Sequence, residues 1–166
     1  MGMDDHSIIN AIPDKRSKNK TVDDLSKDNR KTDDLSSIVA AYYDSDPERE
    51  WQRVERHRTE YAVTLRALEE HLPKPPAHVL DCGGGPGRYA IELVRRGYQV
   101  TLFDLSLENL KVAHQHAEQA GVGLEAILHG SVVDLSYFEN SSFDALLLMG
   151  PLYHLLEWKK PRYGGI

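Results

Sequence analysis

Residues 79–87, Val-Leu-Asp-Cys-Gly-Gly-Gly-Pro-Gly, constrain the fold more than any other stretch of the chain. An apolar strand here delivers Asp81 to its carboxyl end. The chain then turns through Gly83, Gly85 and Gly87, where a missing Cβ lets a ligand approach the backbone. Arg88 to Arg96 reads as an amphipathic helix, with Gly97 where a helix-ending C′ glycine is expected. Strand, acid, glycine turn and helix together predict the first βα unit of a parallel α/β sheet. Ligands of such sheets sit outside the carboxyl ends of the strands.

Two ligand readings compete for this turn. The dinucleotide fingerprint G-x-G-x-x-G/A fits Gly85, Gly87 and Ala90, with Asp104 further on as the ribose acid. Two features weaken that fit. Asp81 places a carboxylate near the pyrophosphate, and Pro86 removes one backbone N–H from an anion cradle. A ligand carrying an ammonium and a sulfonium suits an acidic turn better.

The spacing D-x-G-x-G-x-G from Asp81 to Gly87 resembles motif I of the class I S-adenosylmethionine-dependent methyltransferases. Tyr98–Asp104 resembles the family's second strand, Leu124–Gly130 its third and Phe143–Gly150 its fourth, so residues 38–156 match in order and spacing. The resemblance implies a Rossmann-like α/β fold. Its parallel sheet has the order 3-2-1-4, with helices on both faces and an additional N-terminal helix. It also implies S-adenosyl-L-methionine as cofactor. The methionine part would fall to Asp81, Gly83, Gly85 and Gly87, and the ribose to Asp104 with Leu105 beside it. Ser131 and Val132 would hold the adenine, and Met149 would line the reactive end. Ser131 departs from the pattern, since the family usually has Asp there and a hydroxyl is the weaker partner. The partner implied is a small-molecule methyl acceptor that the sequence does not name.

Each of these residues also has a plainer reading. Asp81 suits the cap of the following helix, and Asp104 the N-terminal end of the next one. Ser131 after Gly130 is an ordinary turn residue. Tyr153 and His154 are the groups with acid–base capacity after the fourth strand. His154 is placed to accept a proton from a nucleophile. A structural imidazole serves as well, because many methyl transfers need only positioning.

Composition limits the rest. A chain of 166 residues with 40% hydrophobic residues buries one modest core. A net charge of −6 argues against nucleic acid or a membrane surface as partner. No apolar run reaches membrane-spanning length and no secretory signal is present, so a cytoplasmic setting is expected. Cys82 is the single cysteine, which excludes an internal disulfide. Residues 1–36 are polar and read as a disordered or loosely helical leader, residues 37–157 as the domain, and residues 158–166 as an irregular tail.

One long helix is predicted from an Asp46 cap and Pro47 to just before Pro73. Its stripe is Trp51, Val54, Tyr61, Leu65, Leu68 and Leu72, with Arg58 inside it. Arg58 either reaches a carboxylate at the cofactor mouth or carries its charge out to water. Tyr42 and Tyr43, ahead of this helix, form either a flap over the cofactor or part of the packing. A further helix runs from Ser106 to Gly121. His114 and His116 on it point about 200° apart and do not share a metal ion, so no metal is expected.

The family has seven strands, and this sequence is expected to lack strands five to seven, as a truncated or frame-shifted reading frame would. Ala145–Met149, an apolar run suited to a central strand, then becomes an open edge available for self-association. Poor solubility and little turnover are expected consequences. Two rivals follow: a non-catalytic half-Rossmann binding module, and a fragment of a nicotinamide-dependent oxidoreductase.

Overall fold

A parallel sheet of four strands, β1 (His78–Cys82), β2 (Gln99–Asp104), β3 (Ala126–His129) and β4 (Ala145–Leu147), forms the centre of the molecule. The computed structural model describes residues 32–150. The strand order is β3-β2-β1-β4, the arrangement expected of a Rossmann-like α/β fold. Five helices accompany it among the described residues: α1 (Thr32–Asp44), α2 (Pro47–Arg56), α3 (Arg58–His71), α4 (Arg88–Arg95) and α5 (Leu107–Gln119). α1 begins inside the stretch read as a leader, so the boundary drawn at residue 36 falls within a helix.

Strand alternation sorts the core onto two faces. Val79, Val100, Leu102 and Leu147 pack with Ala90 and Leu93 of α4, Leu110 and Ala113 of α5, and Leu68 of α3. Leu80, Cys82, Phe103 and Leu128 point the other way. They are covered by Val132, Leu135, Phe138 and Phe143, from the connection between β3 and β4. Phe138 stands edge-on to both Phe103 and Phe143, with ring centroids 5.3 Å apart in each pair.

Both helices that follow a sheet strand end as their sequences specify. Gly97 N–H donates to Val94 O and Tyr98 N–H to Leu93 O, while Gly121 N–H donates to Glu118 O and Val122 N–H to Ala117 O. These paired bonds satisfy the last carbonyls, and they need the left-handed backbone that glycine adopts freely. Gly97 and Gly121 have φ of 91° and 65°.

The single long helix expected after Pro47 is two helices, and this corrects the sequence reading. Asp46 does cap its start, accepting from Arg49 N–H at 3.1 Å. The chain breaks at His57, which has φ −120° and ψ 50°. The two halves of the apolar stripe serve different partners. Trp51 of α2 stacks on His116 of α5, rings 3.6 Å apart and 5° from parallel. Leu65 of α3 is buried, Leu68 and Leu72 pack instead against the sheet core, and Arg96 of the α4 C-cap pairs with Glu69 of α3. One straight rod cannot face both targets. Arg58, at the start of α3, is exposed, in keeping with the reading that sends its charge to water.

At the other end of the sheet order, β4 pairs with β1 alone among the described residues. Leu146 is 48% exposed there. No described helix is long and apolar enough to cross a membrane.

Candidate functional site

The parallel register brings two carboxylates to one end of the sheet. Asp81 pairs with Leu102 across β1 and β2, and Asp104 lies two residues further along β2. Both are almost fully buried. Between them the chain turns through Gly83–Gly87, with positive φ at Gly83, Gly85 and Gly87.

Three backbone amides of this turn are already engaged. Gly83 N–H donates to Phe103 O at 2.6 Å, and Gly87 N–H to Gly84 O at 3.1 Å. Gly85 N–H donates to Asp104 Oδ2 at 2.8 Å, and Pro86 has no N–H to offer. A phosphate-binding turn needs such donors pointing at its anion. Here those of Gly83, Gly85 and Gly87 are spent inside the protein, one of them on a carboxylate.

Asp104 is held from several directions. Its Oδ1 accepts from Ser106 N–H at 2.9 Å, and the nearby Asn109 side chain favours the charged form of the carboxylate. Burial raises its pKa from the usual carboxylate value, while the Ser106 and Gly85 amides, Asn109 and His129 pull the other way. The Ser106 and Gly85 amides take two of the roughly four lone-pair sites of the carboxylate, so capacity remains for a pair of vicinal hydroxyls. The structure does show Asp104 as a partner for the following helix: its bond to Ser106 orders the start of α5. Ser106 itself is the N-cap, accepting from Asn109 N–H at 3.1 Å.

Asp81 is different. The N-cap of α4 is Gly87, which carries no side-chain cap bond, so Asp81 does not cap that helix. Its Oδ2 is buried with no hydrogen-bond partner among the described residues. Burial first, and the Asp104 charge second, push its carboxyl up to about 7. The same surroundings push the Cys82 thiol up to about 11, so the lone cysteine is an inert core residue. An orphaned buried carboxylate beside a glycine turn fits a cationic ligand and repels a diphosphate.

Two contributors escape a reading by motif. Gly84 falls between the glycines of the motif, yet a Cβ on it would lie 2.5 Å from both Asp81 Oδ2 and Leu102 Cδ1. It is glycine because Asp81 folds directly beneath it. Asn109, buried with its Oδ1 unpartnered, braces Asp104 from the first turn of α5. The Gly-Gly-Gly run was a usable signal for the first; nothing local signals the second.

The remaining candidates spread along the same end of the sheet. Leu105 O meets His129 Nε2 at 3.0 Å, which ties the ends of β2 and β3 together. Ser131 lies in the turn after β3, with Oγ 3.5 Å from Val133 N and its carbonyl accepting from Asp134 N–H. Val132 packs under Phe103 and Leu128. Met149 is 40% exposed beyond β4. Tyr153 and His154 lie outside the described residues. Tyr43 is half-buried at the end of α1, its phenol pushed up by burial and by charges that include Asp104. Tyr42 beside it is exposed and stands edge-on to it. His114 and His116 face different neighbours, Glu118 and Glu48.

Known proteins resemble this chain in sequence and in fold. The methyltransferase-domain family matches residues 79–163, just over half of the chain. A ubiquinone biosynthesis O-methyltransferase of Xanthomonas campestris pv. campestris is 32% identical over 124 residues, covering 74% of this chain and 49% of that protein. The chain thus spans about half the length of the curated relatives it matches. Among solved structures, the PH0226 protein of Pyrococcus horikoshii OT3 is 25% identical with a TM-score of 0.50, over 58% of this chain and 49% of that one. The fold is also that of magnesium protoporphyrin IX methyltransferase from Synechocystis PCC 6803, solved with S-adenosylmethionine bound. That likeness has 20% identity and a TM-score of 0.52, over 72% of this chain and 64% of that one.

Proposed function

The chain belongs to the methyltransferase-domain family, and from that premise we propose that it binds S-adenosyl-L-methionine and methylates a small-molecule acceptor. One observation carries the reading. The turn that would cradle a diphosphate has its Gly85 amide bound to Asp104, and an unpartnered carboxylate, Asp81, lies beneath it. Asp81 and the turn Gly83, Gly85 and Gly87 take the charged methionine end. Asp104 with Leu105 takes the ribose, Ser131 and Val132 the adenine, and Met149 the reactive end.

The cofactor, when bound, supplies an electrophilic methyl group on a sulfonium. The residues of this chain orient it and exclude water. Tyr153 and His154, which follow β4, are the candidate groups to position the acceptor or accept its proton. The O-methyltransferase activity of the ubiquinone-biosynthesis relatives favours an oxygen as the methylated atom. A cytoplasmic setting and the absence of a nucleic-acid partner belong to the same proposal.

A second reading rests on β4. Its free side among the described residues, with Leu146 half-exposed, suits a module that self-associates through this edge. Concentration-dependent size without cofactor binding would favour it.

The cofactor reading has a proton signature. An ammonium ligand is favoured by ionised Asp81, whose folded carboxyl titrates near 7. Below that pH, binding must expel a proton. Affinity for S-adenosylhomocysteine should therefore fall about tenfold between pH 8 and pH 6. Calorimetry in buffers of different ionisation enthalpy should show protons released on binding at pH 6. Affinity and heat independent of pH and buffer would remove Asp81 from the cation site.

A further inference from the structure

The end of α1 meets the start of α5 through a residue that is poorly placed for the stability of its own helix. α1 ends at Asp44 with no basic residue in its last turn. A carboxylate at a helix C-terminus meets the negative end of the helix dipole and is unfavourable there. The same side chain reaches across 62 positions of sequence to the first turn of α5. Ser106 Oγ donates to Asp44 Oδ1 at 2.5 Å, and Glu108 N–H donates to the same oxygen at 3.3 Å. At the N-terminal end of α5 a negative charge is favoured. What Asp44 loses on α1 it recovers only by joining α1 to α5.

The junction it reaches is the residue that holds the ribose acid. Ser106 donates its N–H to Asp104 Oδ1 and accepts from Asn109 N–H at its own hydroxyl. Asp104 Oδ2 in turn accepts from Gly85 N–H of the glycine turn. An unbroken hydrogen-bonded path therefore runs from the end of α1, through Ser106 and Asp104, to the turn. The rest of the α1 end is fixed to match. Ser45 Oγ donates to Tyr42 O at 2.6 Å, and Tyr43 sits half-buried within the field of Asp104.

We propose that Asp44 is a positioning residue for the cofactor site, orienting Ser106 so that Asp104 is presented to the ribose beneath the end of α1. Asp44 itself does not touch the cofactor. The hydroxyl of Ser106 has one proton, and giving it to Asp44 leaves its lone pairs facing Asn109 N–H. The N-cap and the Leu105–Ser106 backbone are then held in the one arrangement in which Ser106 N–H meets Asp104. Ordering of α1 and occupation of the ribose site are coupled, so each stabilises the other. This inference rests on the cofactor reading above.

The test uses the whole 166-residue chain, S-adenosylhomocysteine as probe, titration calorimetry and amide hydrogen exchange. Asp44→Ala is expected to weaken binding about five- to tenfold, the effect of removing the oxygen that accepts from Ser106 Oγ and Glu108 N–H. Asp44→Asn keeps the accepting oxygen and should stay within about twofold of the wild type. In the wild type, ligand should slow exchange across residues 37–44; in Asp44→Ala that added protection should vanish while the protein still binds. A purely structural role lowers stability without removing ligand-induced protection. Should Asp44→Ala fail to fold, Asp44→Glu decides: its longer stem displaces the acceptor, and it should bind at least fivefold less tightly than Asp44→Asn. Equal affinity and equal α1 protection across these variants overturn the proposal, and if Asp104→Ala still weakens binding, only the role of Asp44 falls. A wild-type chain that binds no S-adenosylhomocysteine overturns both readings together.

Discussion

Asp104→Ala should weaken S-adenosylhomocysteine binding by about 2–3 kcal/mol, a loss of roughly 30- to 150-fold. Two ribose hydroxyls would lose a charged acceptor, and hydrogen bonds to charged groups are the stronger kind. Part of the loss is indirect. The Gly85 and Ser106 amides that end on this carboxylate would be left without their acceptor, so the turn and the start of α5 would loosen together. Asp104→Asn separates the contributions. Its single carbonyl oxygen can serve one of the two amides, so it should retain more stability than alanine while still binding ligand poorly. Calorimetry of both variants, with urea unfolding as the control for folding, checks this. Unchanged affinity in Asp104→Ala would take the residue out of the site.

The second large effect concerns Asp81 and has the opposite sign for stability. In the folded chain its carboxyl titrates near 7, well above the usual value of 3.8. Between those two values the folded state holds a proton that the unfolded state has released. The favourable effect is therefore complete below the lower value, declines as pH rises, and is gone above the upper one. Asparagine at this position carries no such charge. Asp81→Asn should gain stability over the wild type as pH rises, by on the order of 3 kcal/mol between about pH 5 and pH 8. It should also lose the pH dependence of ligand affinity and bind S-adenosylhomocysteine more weakly. Urea unfolding of both proteins across this range measures the difference, and parallel stability profiles would contradict it. A variant that is more stable and binds less well is the expected mark of a charge kept for its ligand.

The residues that made the fold legible act over short distances. The strand of Val79–Cys82, the Ser106 and Asp46 caps, and the glycines that end α4 and α5 each depend on a few neighbours in sequence. The acids at the ends of β1 and β2 were legible for the same reason, since strand, turn and helix are contiguous. The break at His57 was not, because it arises from two distant surfaces, the His116 side of α5 and the sheet core, which pull one stripe in two directions. Gly84 was hidden by a motif that counts alternate glycines, although its lack of a side chain is set by Asp81 underneath. Asp44 was hidden by distance: its partner lies on the far side of β1, α4 and β2 in the chain. Local sequence announces the carboxylates; only the folded chain shows what braces them.

The central claim, that the turn after β1 receives a cationic methyl donor and not a diphosphate, is tested most directly by titrating the chain with S-adenosylhomocysteine and, separately, with NADH. The account predicts saturable binding of S-adenosylhomocysteine at one site, no saturable heat from NADH, and no displacement of the first by the second. Saturable NADH binding that is lost in a Gly85 or Gly87 variant, with S-adenosylhomocysteine silent, would contradict it.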